Sequence, residues 1–99
     1  RIIGAVMKVL HNVIDYGMGI QEACANIAVD CSGEEITVNT ELGQDVVGAL
    51  ESMGHRLDVG IPSFLPHLFA NPMGILVDEA TGKLYGGADA YDQGVAQGI

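Results

Sequence analysis

Apolar residues of the first fourteen positions recur at helical spacing. Ile3, Val6, Met7, Leu10, Val13 and Ile14 fall at i, i+3, i+4, i+7 on one stripe of an α-helix. Ile2, Ala5 and Val9 widen the stripe and leave Lys8, His11, Asn12 and Asp15 as a polar edge. Four turns of this kind run about 20 Å at ~1.5 Å per residue. A helix greasy over most of its circumference is expected to be covered on more than one side, packed on a sheet face. Gly17 and Gly19 follow Tyr16, where a glycine in the left-handed conformation closes a helix. Ile20, Ala23, Cys24 and Ile27 then start a second helical stripe.

Further along, the period changes. Ala28–Gly33 is small and polar and reads as a turn. Glu35–Thr40 alternates as a short strand, with Ile36 and Val38 inward and Thr37 and Asn39 outward. Gln44–Met53 places Val46, Val47, Leu50 and Met53 on one helical face, and Gly54 ends it. Arg56–Val59 alternates again, with Leu57 and Val59 to one side. Gly60–Pro72 is irregular, with all three prolines and both phenylalanines. Phe64, Leu65, Leu68 and Phe69 would form an exposed apolar patch unless another chain orders the segment. Met73–Val77 and Lys83–Ala88 flank Asp78–Gly82 as a hairpin. The glycine-rich tail after Ala88 reads as loop. Helix, helix, strand, helix, strand, loop and hairpin make an α+β segment.

Composition narrows the field. The chain has 99 residues, at most one domain or a piece of one, and 48 % are hydrophobic, more than so small a body hides easily. The reading that fits is a segment of a larger layered fold; alone it is expected to be poorly folded or self-associating. Net charge is −9, and Arg1, Lys8, Arg56 and Lys83 are dispersed, which argues against nucleic acid and anionic membranes as partners. No apolar run approaches the ~20 residues of a membrane span. Cys24 and Cys31 would lie about 10 Å apart on one continuous helix, so two reduced, half-buried thiols are expected, with a disulfide as the alternative if the chain bends near Asp30 or Ser32. Neither has a partner at zinc-ligand spacing.

Candidate chemistry is sparse. His11 sits on a helix edge as a hydrogen-bonded structural residue, and His55 follows Gly54, where it is expected to cap the last carbonyls. His67, in the proline-rich loop, is the histidine placed most like a site residue, but no acidic residue is spaced to orient it. Asp78, Glu79, Asp89 and Asp92 lack the alternation of a calcium loop. Gly86-Gly87 is followed by no Lys-Ser/Thr, so close packing explains it better than phosphate binding. No metal or cofactor site and no catalytic constellation stands in the residues themselves.

A resemblance accounts for that emptiness. RIIGAVMKVLHNVIDYGMGIQEA (Arg1–Ala23) resembles the segment of gamma-glutamyltransferases (gamma-glutamyltranspeptidases) that runs from a glycine-glycine-serine oxyanion loop into a buried helix. VVGALESMGHRLDV (Val46–Val59) is similar to the family's short helix, glycine-histidine and strand. ILVDEATGKLYGGADAYDQG (Ile75–Gly94) looks like its closing strand pair, and the three blocks stand in family order. The resemblance implies part of an αββα four-layer sandwich of the N-terminal nucleophile hydrolase type, with residues 1–99 as the C-terminal portion of the small subunit. It implies autoprocessing of a precursor, attack by a new N-terminal threonine on a gamma-glutamyl amide such as glutathione, and oxyanion glycines just before Arg1. The nucleophile and the glutamate-gripping residues would then lie upstream, with no catalytic residue, cofactor or metal ligand in this stretch. Expected partners are the rest of the small subunit, the large subunit and a small gamma-glutamyl substrate, in a periplasmic or secreted setting if bacterial members are the guide. Two departures stand out: Cys24-Ala25-Asn26-Ile27-Ala28 replaces the family's alanine-proline-arginine turn, and Asp89-Ala90-Tyr91 replaces aspartate-proline-arginine. They widen the expectation to a related acylase or amidohydrolase. The other reading is a stand-alone acidic α/β interaction module with Phe64–Phe69 as its contact patch.

Overall fold

The computed structural model describes residues 1–61, 69–89 and 94–98. In chain order the elements are α1 (Ile2–Ile14), α2 (Ile20–Ala25), β1 (Val29–Asp30), β2 (Ile36–Asn39), a 3-10 turn (Thr40–Leu42), α3 (Gln44–Ser52), β3 (Leu57–Gly60), β4 (Met73–Val77) and β5 (Leu84–Ala88). They form two compact units, one of residues 1–5 and 27–70, the other of residues 6–26 and 71–99.

In the first unit β2 is the middle strand of three. It pairs antiparallel with β1, Val29 opposite Val38 and Asp30 opposite Thr37. On its other side it runs parallel to β3, from Ile36 opposite Leu57 to Asn39 opposite Gly60. A parallel pair needs a crossover, and α3 supplies it. Among its described residues, Val38 and Val47 are the buried apolar side chains. Gly54, at φ +95°, closes α3. Its N–H donates to Glu51 O and that of His55 to Leu50 O, the paired bonds of a Schellman ending. His55 therefore caps the helix with its backbone.

Two expectations fail here. Val29–Asp30 is a strand where a turn was expected; two residues carry no detectable alternation, and only the free edge of β2 reveals the pairing. Asn39, expected outward, is buried, because its Oδ1 accepts the Glu41 N–H at 2.8 Å and so caps the 3-10 turn.

The second unit sets α2 on the β4–β5 hairpin, whose antiparallel register runs from Met73 opposite Ala88 to Val77 opposite Leu84. The turn is built as its residues suggest. Asp78 Oδ1 accepts the Ala80 N–H at 3.0 Å, Asp78 O accepts the Gly82 N–H at 2.7 Å, and Gly82 takes φ +73°. Gly74 and Gly87 face each other across the strands beneath α2. A Cβ on Gly87 would lie 2.7–2.8 Å from backbone atoms of Ile20 and Gln21, and one on Gly74 would lie 2.6 Å from Ile20 Cδ1. Close packing is thus why glycine stands at 87, although a helix makes the approach rather than another strand. Ile20, Ala23, Cys24 and Ala88 are buried around it.

α1 is helical as its pattern requires, but the face that packs is the other one. Ile3 is 82 % exposed, Ile14 73 %, and Val6, Met7 and Leu10 about half, while the one buried residue of the helix is Asn12. Lys8 and Asn12 of the polar edge turn inward, where α2 ends with carbonyls that need donors, while His11 and Asp15 stay at the surface. Lys8 Nζ donates to Cys24 O at 3.1 Å and Asn26 O at 2.9 Å, and Asn12 Nδ2 to Ala23 O at 3.4 Å. The expected packing of the apolar stripe on a sheet is not met within the described residues. The cysteines differ as well: Cys24 is fully buried and Cys31 exposed, both free thiols, instead of two half-buried ones.

Candidate functional site

Three polar side chains gather at the head of the first unit. Arg1 Nε donates to Asp30 Oδ2 at 3.2 Å, and the Ser32 hydroxyl donates to the same oxygen at 2.8 Å. β1 holds Asp30 against β2, which leaves its carboxylate 11 % exposed beside a half-exposed guanidinium. Burial alone would raise its pKa. The hydrogen bonds from the Ser32 hydroxyl, the Ser32 N–H and the Arg1 guanidinium pull the other way, and the carboxyl ends below its ordinary value. A charged, doubly hydrogen-bonded carboxylate is an anchor rather than a proton carrier at neutral pH.

Around α2 the chemistry is also structural. Burial lowers the Lys8 pKa, while the nearby charges of Asp89 and Cys24 push it back up in part. Burial raises that of the Cys24 thiol, opposed by Lys8 and reinforced by Asp89. A buried thiol held in its neutral form is a poor nucleophile. The Gln21 amide donates to Ala88 O at 2.8 Å and accepts the Ala88 N–H at 3.0 Å, so it pairs with the strand as another strand would.

Of the histidines, His11 meets Asp15 one helical turn on, at the surface, as its edge position suggests. His55 is exposed at the α3 end. His67 lies outside the described residues, as do Phe64, Leu65, Leu68 and Asp92. Asp78 serves the hairpin turn. Among the described residues no group of three or more His, Cys, Asp or Glu is placed to hold a metal ion. No helix among them is long and apolar enough to cross a membrane. Reading the sequence missed Asp30 and Ser32, because neither sits in a motif; an acid two residues before a serine is too common to single out. Lys8 was visible only as part of a polar edge.

The gamma-glutamyltranspeptidase family model matches residues 1–99. Among solved structures, gamma-glutamyltranspeptidase from Pseudomonas nitroreducens in complex with L-DON superposes with a TM-score of 0.78 at 20 % identity, over 98 % of this chain and 49 % of that one. A mutant gamma-glutamyltranspeptidase from Helicobacter pylori gives 0.70 at 25 % identity, over 91 % of this chain and 48 % of that one. Cephalosporin acylase from Bacillus halodurans gives 0.78 at 27 % identity, over 88 % of this chain and 16 % of that one. Among curated proteins none matches the sequence. The fold is α+β and matches that of gamma-glutamyltranspeptidases, which are N-terminal nucleophile hydrolases, here as a gamma-glutamyltranspeptidase-like scaffold. The chain belongs to the gamma-glutamyltranspeptidase family. It spans about half the length of the gamma-glutamyltranspeptidase chains just named.

Proposed function

We propose that residues 1–99 are the C-terminal portion of the small subunit of a gamma-glutamyltransferase-like enzyme. The segment is a scaffold for hydrolysis or transfer of gamma-glutamyl groups from amides such as glutathione. In this reading an N-terminal threonine on the rest of the small subunit is the nucleophile, its own α-amine the base. The glycine pair of a glycine-glycine-serine loop just before Arg1 holds the oxyanion. The partners are that remainder and the large subunit of the same precursor. His67 has no assigned role in this reading.

One observation carries it: the apolar stripe of α1. Ile2, Ile3 and Ile14 are each more than 70 % exposed, and Val6, Met7 and Leu10 continue the same face. A contiguous greasy surface of this kind is built to be covered. The family match, with relatives of about twice the length, supplies what would cover it.

A related acylase is the second reading. It is favoured by the likeness to cephalosporin acylase and by the two family arginines replaced in Cys24–Ala28 and at Tyr91. One experiment separates the readings. The protein is purified from its source, and its chains are sequenced from their N-termini. It is then offered a gamma-glutamyl anilide and an N-acyl anilide that lacks the α-amino group. A co-purifying chain that starts at threonine, with release from the gamma-glutamyl anilide, is the expected result. Release from the second substrate alone favours the acylase. A folded, inactive monomer of 10.3 kDa would leave the interaction module.

A further inference from the structure

We infer that Asp30, seated by Ser32, is a positioning residue: through Arg1 it fixes the backbone that leads into α1. This rests on the reading that a glycine-glycine-serine oxyanion loop leads into Arg1. The two bonds to one carboxylate oxygen, 3.2 Å from Arg1 Nε and 2.8 Å from the Ser32 hydroxyl, tie a strand of the sheet to the first residue of the helix entrance. The carboxylate side chain is 11 % exposed, so water competes little for it. β1 itself is pinned, because Asp30 pairs with Thr37 and the Asn39 N–H donates to Ala28 O at 3.2 Å.

Such a contact matters where geometry matters most. An oxyanion donor works only when aimed at the position the oxygen takes in the transition state. A glycine pair just ahead of a mobile arginine has no side chain of its own to hold that aim. Anchoring Arg1 to a buried, charged acceptor removes that freedom. Its nature as arginine also counts, since Nε is a directed donor that lysine lacks. Loss of the anchor should therefore lower kcat and leave KM nearly unchanged, because the donors act on the transition state more than on the bound substrate.

The test is a double-mutant cycle in the complete precursor, with gamma-glutamyl p-nitroanilide as substrate and kcat expressed per processed enzyme. Asp30→Ala and Arg1→Ala are each expected to lower kcat about 10-fold, short of the ~100-fold that a misplacement of 1 Å can cost. KM should stay within about twofold. The double variant should be no worse than either single one, since both break the same contact. Asp30→Asn keeps an acceptor without the charge and should fall between wild type and Asp30→Ala; it carries the comparison if the alanine variant does not mature. Thr37→Ala, opposite Asp30 in the same strand pair but not bonded to Arg1, controls for loosening of the sheet. Additive losses, a kcat loss in Thr37→Ala equal to that in Asp30→Ala, or wild-type kcat in Asp30→Asn and Arg1→Ala would each overturn the proposal. A wild-type enzyme that matures yet leaves gamma-glutamyl amides intact would instead overturn the functional reading on which it stands.

Discussion

In the α2–hairpin unit a helix lies directly on strand backbone, because Gly74 and Gly87 face it with hydrogen where other residues have Cβ. In the β1–β3 unit the closures run through side chains: Asn39 caps a turn, and Arg1 and Ser32 converge on Asp30. The first arrangement is intolerant of added atoms; the second is sensitive to lost charge and lost acceptors. Both share a thin core. Among the described residues, Val38 and Val47 are the buried apolar residues of one unit, and Ile20, Ala23, Cys24 and Ala88 those of the other.

That shared weakness sets the largest effect. Among the described residues, few apolar side chains are buried in either unit to set against ~1–2 kcal/mol of backbone entropy per ordered residue. Made alone, the 99-residue chain should therefore show no cooperative near-ultraviolet circular dichroism melt and should self-associate through α1. A sharp melt from a monomer would mean that the two small cores suffice without cover.

Next comes the contrast between two glycines of one hairpin, both measured as urea midpoints in the full protein. Gly87→Ala drives a methyl into the backbone of Ile20 and Gln21, which cannot rotate away, and should cost about 3 kcal/mol. Gly74→Ala meets side-chain atoms alone, Ile20 Cδ1 and Cγ1 and, at 4.0 Å, Cys24 Sγ, and should cost about 1 kcal/mol. Shortening that side chain in Gly74→Ala/Ile20→Val should recover part of the loss. Equal costs at 74 and 87 would mean that α2 moves bodily off the hairpin, and that the backbone contact is not the constraint it looks to be.

Gln21→Ala probes the same unit more gently. It removes both bonds to the Ala88 backbone and should cost about 1–2 kcal/mol, with faster amide exchange at Ala88 as its local signature. Unchanged exchange at Ala88 would show that water replaces the amide without penalty.

How much of this was legible follows from the same contrast. The hairpin could be read because Asp78 and Gly82 state their turn chemistry locally and Met73–Val77 is an unbroken apolar run. The α3 ending was legible through Gly54 for the same reason. The identity of the inward face of α1 was not. An apolar stripe announces that something covers it but not what, whereas Lys8 and Asn12 turn toward α2 to serve carbonyls that no sequence pattern exposes. Asp30 was invisible for a related reason: a two-residue strand has no period, and its carboxylate gains meaning only once β1 brings it beside Arg1. Local grammar is written in the chain, while long-range hydrogen-bond debts are not.

The smallest effect is also the most specific to the β1–β3 unit, and it is read by pH. Hydrogen bonds from Ser32 and Arg1 hold the folded Asp30 carboxyl below 3.8, its ordinary value. Between that value and the folded pKa the unfolded chain binds the proton and the folded one does not. Stability therefore falls as pH drops through this window, and the contribution is fully present above it. Asp30→Asn has no proton to bind. Wild type and variant should thus differ by about 1 kcal/mol in urea unfolding at pH 7, the scale of a hydrogen bond to a charged group less what the amide retains. The gap should close as pH falls below 3.8, while the other carboxylates titrate alike in both proteins and cancel from the difference. Stability curves that stay parallel down to the acid transition would show that Asp30 keeps no special charge in the folded protein, and that its place beside Arg1 and Ser32 reflects shape alone.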